Sequence, residues 1–266
     1  SARSVVLHLD KLGKINPGLI TQKNFGALIA AGSNVYKLVW GFEELIKISP
    51  VLISQENFDA LVAAGAYVDN VSQGLVAIAK VNLELITVKN CQSLIDAGVN
   101  AESVGYSLEQ LGKFNPLLVT QENFEALIAA GANVLTVRKS FEVILAINPT
   151  FFMTQENFET LIAAGIYAQG VGEVLALVST VNHEFITQEN RQALIAAGRN
   201  IHHLIQALND LIHTSIDLLT QDNVNILIRA GENAWLHVRE IIRGAQPVVA
   251  FAVLPVADRQ STHLAS

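Results

Sequence analysis

Cysteine is all but absent from this 266-residue chain. Cys91 stands alone, so neither an internal disulfide nor a thiolate zinc cluster can brace the fold. Charge is scarce too: 15% of residues are charged, against about 25% in a typical domain, so few residues are spare for an all-round polar surface. The 17 Lys and Arg are outnumbered by 24 Asp and Glu, a net charge of -7. Phosphate binding rests on clustered Lys and Arg, so a nucleic acid is the less favoured partner, although a local basic stripe can survive an acidic total. No apolar stretch runs about 18 residues without polar interruption, which predicts no membrane span. The opening Ser-Ala-Arg has no signal-peptide layout. The expected location is the cytoplasm, or a host cell after secretion. A glycine-rich phosphate loop, a nucleophile elbow and a recurring carboxylate pair are all missing, so neither enzyme activity nor a cofactor is expected.

What is present is hydrophobic and periodic. Apolar residues make up 51% of the chain, enough for a large core without cross-links. The segment Thr120–Gly131 has close relatives beginning at Thr21, Ser54, Thr87, Thr154, Thr187 and Thr220. Their closing glycines, Gly32, Gly65, Gly98, Gly131, Gly165, Gly198 and Gly231, are 33 residues apart except once, where the spacing is 34. The extra residue falls in the linker Pro149–Thr154.

Each unit predicts two helices. The Thr or Ser suits a helix N-cap, its hydroxyl accepting from a free N–H of the first turn, and the Gly suits a left-handed residue that ends the helix. Leu28, Leu61, Leu94, Leu127, Leu161, Leu194 and Leu227 recur seven residues after the cap. A second helix follows with apolar residues at steps of three and four, as in Val134, Val137, Phe141, Ile144 and Ile147. Asn-Pro then closes it at Asn16-Pro17, Asn115-Pro116 and Asn148-Pro149. The expected architecture is all-α: a solenoid of seven two-helix repeats over 1–244, wound into a superhelix by stacking of neighbours. Ser4–Pro17 would be an orphan N-terminal helix. The 245–266 tail departs from the repeat, with Pro247–Pro255 as an apolar strap.

The phrase Leu-Ile-Thr-Gln-Glu-Asn-Phe-Xaa-Ala-Leu-Ile-Ala-Ala-Gly resembles helical repeats of large proteins from intracellular bacteria such as Legionella and its relatives, several of them effectors delivered into host cells. That resemblance spans 19–244 and implies a binding scaffold whose partner is a protein, possibly a host protein. The 33-residue period is also similar to transcription-activator-like effector repeats, in which an interhelical loop reads one base. The loop pairs Ser33-Asn34, Ala66-Tyr67, Val99-Asn100, Ala132-Asn133, Ile166-Tyr167, Arg199-Asn200 and Glu232-Asn233 vary as a code would. The phosphate-holding Gly-Gly-Lys-Gln of that family is missing, however: Val35, Val68, Ala101, Val134, Ala168, Ile201 and Ala234 follow instead.

Two sets of positions separate structure from function. Asn24, Asn57, Asn90, Asn123, Asn157, Asn190 and Asn223 recur three residues after the cap. They predict a ladder in which each amide bonds the neighbouring repeat's backbone, because a buried polar group must be satisfied. Positions four, eight, twelve and fifteen after each Gly share one second-helix face and do not recur. Among them Tyr36, Trp40, Tyr106, Trp235 and Arg239 are the candidate partner contacts, being the side-chain types that anchor interfaces. His202, His203, Asp210 and His213 cluster in the sixth repeat. Zinc needs three or four converging ligands, and adjacent histidines diverge by about 100° around a helix, so no metal is expected. Cys91 takes the place of Phe25, Phe58, Phe124 and Phe158 and reads as a small core filler. A third possibility is that the array only spaces other domains of a longer protein.

Overall fold

The computed structural model describes residues 2–245, which hold helices and turns and no strand. Gln246 and the expected strap at 247–255 lie outside them. The helix α1 (Ala2–Ile15) precedes seven pairs: α2 (Gln22–Ala31) with α3 (Val35–Ile48), α4 (Gln55–Ala63) with α5 (Val68–Val81), and α6 (Val88–Ala97) with α7 (Ala101–Phe114). Then come α8 (Gln121–Ala129) with α9 (Val134–Ile147), α10 (Gln155–Ala164) with α11 (Ala168–Ser179), α12 (Gln188–Ala197) with α13 (Ile201–Thr214), and α14 (Gln221–Ala230) with α15 (Ala234–Ala245). The expected all-α solenoid of seven repeats is the observed fold, and α1 packs on α3 as the eighth long helix.

Local chemistry sets each boundary. In all seven repeats the cap hydroxyl accepts from the backbone N–H of the Asn three residues on, at 3.1–3.3 Å. At the other end the glycines have φ between 52° and 59°. At Gly98 and Gly231 ψ is -116°, so these residues lie outside the left-handed helical region expected from the sequence. They occupy the mirror image of extended backbone, which is open only to glycine. Each glycine opens a single 3-10 turn, such as Gly131–Asn133, that leads straight into the long helix. A second short turn, Pro116–Leu118 or its equivalent, follows most long helices. Neither turn was read from the sequence.

In the second repeat the short helix meets the long one at a sharp angle, 106° between Gln55–Ala63 and Gly65–Val81. Long helices therefore form one layer and short helices a second, each packed against its counterparts in adjacent repeats. The recurring Leu of every short helix is fully buried, as are Val134, Val137, Phe141 and Ile144, while Ile147 is half-buried. Small residues draw some long helices closer still. A Cβ added at Gly105 would lie 2.4 Å from the Gly74 carbonyl oxygen, so α5 and α7 meet backbone to backbone. One stretch, Gln155–Ser179, is apolar and long enough to cross a membrane by composition, but half of its window is buried within the fold and Gly165 divides it into α10 and α11.

The asparagine ladder exists in a different form from the one expected. Asn24 Nδ2 donates to the carbonyl of Leu19 in its own repeat, 2.9 Å away, and also to Gln55 Oε1 of the next repeat, at 2.9 Å. Gln55 Nε2 donates back to Asn24 Oδ1 at 3.1 Å. Asn90 with Gln121 and Asn123 with Gln155 repeat this reciprocal clasp. Where these asparagines reach a neighbour, at Asn24, Asn57, Asn90, Asn123 and Asn190, they meet its side chain and not its backbone. The backbone carbonyl that each bonded Asn reaches is instead five residues earlier in its own chain segment, as with Asn57 and Leu52. The bond to a neighbour's backbone belongs to the asparagines that end the long helices: Asn16 Nδ2 donates to the Ile53 carbonyl, Asn82 to Val119 and Asn115 to Met153, at 2.9–3.1 Å.

Candidate functional site

The long-helix layer carries the non-recurring strip. Its described side chains are exposed or half-buried, apart from Ala77, which is buried. Tyr36 and Trp40 lie on α3, Tyr106 on α7, and Trp235 and Arg239 on α15, so the fold spreads them along the array and does not gather them into one cluster. Tyr36 is 56% exposed, Trp40 37% and Trp235 44%. These are large ring surfaces left in water. Tyr106 is half-buried under the Arg138 guanidinium of the next repeat, 5.0 Å from the ring centre. Arg239 lies 5.1 Å from the Trp235 ring one turn along the same helix. Such cation–π contacts contribute about 0.5–1 kcal/mol at exposed sites and hold the rings in place.

Charges tie the strip's edge together from one repeat to the next. Lys37 pairs with Asp69 at 3.4 Å, Asn70 Nδ2 donates to Glu102 at 3.3 Å, and Arg138 reaches Glu102 at 3.9 Å. Mid-strip, burial pushes the Glu173 carboxyl above its ordinary range. On the short-helix layer Lys23 bonds Asp59 and Lys89 bonds Glu125, each bond lowering the acid's pKa. Exposed pairs of this kind add little stability; they fix the register of one repeat on the next.

The variable loop residues are partly occupied by stacking. Tyr67 lies against Gly98, Asn133 against Gly165 and Tyr167 against Gly198, while Asn34 Nδ2 donates to the Gly65 carbonyl at 3.1 Å. The second member of the loop pair thus faces the next repeat. The histidines depart from the expected divergence: the His202 and His203 rings sit 3.8 Å apart. His202 Nδ1 is bonded to the Arg199 carbonyl and His213 Nδ1 to that of Asn209. Among the described residues no group of three His, Cys, Asp or Glu is placed to hold a metal. Cys91 is buried at the Phe position, and burial pushes its thiol up to about 11. Its S–H donates to Asn57 Oδ1 at 3.3 Å.

Three interfaces lack the reciprocal clasp. Between repeats six and seven Asn190 Nδ2 donates to Asn225 Oδ1 at 2.9 Å and Gln221 Nε2 to the Phe185 carbonyl at 3.3 Å. The other two each hold a recess beside the asparagine. Between repeats two and three the Gln position is Val88, and a recess of about 450 Å³ opens beside Asn57. Between repeats five and six no bond joins Asn157 to Gln188 among the described residues, and the recess beside Asn157 is about 730 Å³. Arg191 borders it from the position that Phe holds in other repeats. Its Nη1 donates to the Ile186 carbonyl at 3.0 Å. The Glu156 carboxyl on the facing side is held below its ordinary range by its own backbone N–H and the Thr154 hydroxyl, with the charge of Arg191 adding to them. The 34-residue spacing and the Phe-to-Arg exchange were both visible in the sequence. Their meeting at one interface was not, since 37 residues separate Thr154 from Arg191. The chain matches no protein-family description, no curated protein and no solved structure.

Proposed function

We propose that this chain is a protein-binding scaffold that holds its partner along the non-recurring face of the long helices. The observation that carries the reading is the exposure of Trp40 and Trp235 on that face. A solenoid meets its own packing needs with positions that recur. Large aromatic side chains that do not recur and stand in water are the usual anchors of an interface. The mixture of rings, aliphatics such as Leu135 and charges of both signs suits a protein surface better than a phosphate backbone. The likeness of the repeat to those of intracellular bacteria makes a host protein the proposed partner class, with the chain acting as an effector or part of one inside the host cell.

The test is chemical capture from host lysate with the intact chain and with Trp40→Ala/Trp235→Ala. A partner retained by the first and lost by the second, with helix content unchanged, supports the reading. A tight mobility shift with duplex DNA that weakens steeply with salt would overturn it in favour of base reading. Capture of nothing above background would leave the array as a spacer.

A further inference from the structure

The fifth and sixth repeats meet at a recess of about 730 Å³, larger than the one of about 450 Å³ beside Asn57. Three departures coincide there. The linker before Thr154 is one residue longer, the buried ring of Phe58, Phe124 and Phe158 is replaced by Arg191, and Gln188, although present, forms no bond with Asn157 Oδ1. Asn157 is 93% buried, since its exposure is 7%, yet its Oδ1 accepts no hydrogen bond; Ser179 Oγ, on the same wall, has no partner either. Unsatisfied buried acceptors cost about 1–3 kcal/mol each, and an interface that keeps them is suited to a donor that arrives from outside. The volume of about 730 Å³ falls within the range of ligand pockets, roughly 300–1,000 Å³.

The lining selects the ligand. Asn157 Oδ1 can only accept, and Glu156 and Glu184 add two carboxylates at the rim. Phe152, 65% exposed, offers a ring face beside them. Arg191 is the one fixed positive charge, and its Nη1 is engaged by the Ile186 carbonyl; His183 adds to it only when protonated. Acceptors, an excess of carboxylate and an open aromatic face together favour a planar cation with several N–H donors. We propose that this recess takes an arginine side chain of a partner polypeptide, the guanidinium donating to Asn157 and stacking on Phe152. The proposal rests on the protein-binding reading above for the class of partner but shares no residue with the strip.

The experiment is a titration of the full chain with the peptide acetyl-Gly-Ala-Arg-Ala-Gly-amide, followed by amide chemical shifts. Shifts centred on Phe152, Asn157 and Arg191 are expected, with at least tenfold weaker binding of the citrulline peptide, which keeps the shape and loses the charge. Arg191→Phe restores the recurring ring and should abolish binding while raising Tm. Phe152→Ala, at an exposed position, should weaken binding at least threefold with Tm unchanged. Citrulline binding as tightly as arginine, shifts elsewhere, inorganic phosphate producing the same shifts, or binding that survives Arg191→Phe would each overturn the proposal. The Trp40→Ala/Trp235→Ala chain should bind the peptide normally, so this result and that of the capture experiment are read separately.

Discussion

Asn90 and Gln121, 31 residues apart, exchange two amide hydrogen bonds: Nδ2 to Oε1 at 2.8 Å and Nε2 to Oδ1 at 3.0 Å. Asn90 also donates to the carbonyl of Leu85, so one side chain ends a linker, anchors a helix start and joins two repeats. Such a pair is worth more when broken than when made, because removing one partner strands the other. Gln121→Ala leaves Asn90 Oδ1 buried without its donor. A loss of about 1–3 kcal/mol is expected from urea unfolding. Val88→Gln places the missing amide opposite Asn57 and replaces an exposed apolar residue; a gain of about 0.5–1.5 kcal/mol is expected.

Two glycines test backbone conformation against space. Neither Gly26 nor Gly131 has any atom within 4 Å of an added Cβ. Gly26 lies inside a helix, so Gly26→Ala should stabilise by about 0.4–1 kcal/mol. Gly131 has φ 55°, so Gly131→Ala should destabilise by about 1–3 kcal/mol through strain alone. Thermal melts of the two variants should move in opposite directions; a shared direction would mean that the positive φ does not govern this turn.

Gly105 tests space against conformation. Its Cβ would meet the Gly74 backbone at 2.4–2.8 Å, which no rotamer change can relieve. Gly105→Ala must push α5 from α7, and a cost of about 3 kcal/mol or more is expected, at the upper end for overpacking. Gly244→Ala, with nothing within 4 Å, should be close to silent in the same assay.

The thiol of Cys91 supplies a pH prediction. Its folded pKa is raised from 9.0 to about 11, chiefly by burial. A raised folded pKa means that the unfolded chain loses this proton first. The contribution to stability is complete below about pH 9 and is lost as the pH rises towards 11. Urea midpoints should therefore fall more steeply between those values for the wild type than for Cys91→Ala. Thiol reagents should label the native protein at pH 8 only as fast as it opens.

Much of the fold was legible in one dimension because its contacts are local and periodic. Thr or Ser at the cap, Leu seven residues on and Gly at the end each act within one helix or on the adjacent repeat, so a fixed spacing records them directly. The asparagines were identified as structural, but their partners were not. Sequence spacing marks a position without saying whether the amide meets a backbone or a side chain across the interface.

The sequence alone determined the number of repeats, their two-helix form and the division between recurring and variable positions, since these follow from period, capping chemistry and the burial of apolar faces. Only the tertiary structure decided where recurrence fails with consequence. Arg191 is 34 residues from Asn157 and farther still from the lengthened linker, and the stacking of repeat six on repeat five brings it to their wall. Val88 and Asn57 show the same effect at another interface. A missing hydrogen bond between two repeats is a property of a distance, and a distance exists only once the helices have packed.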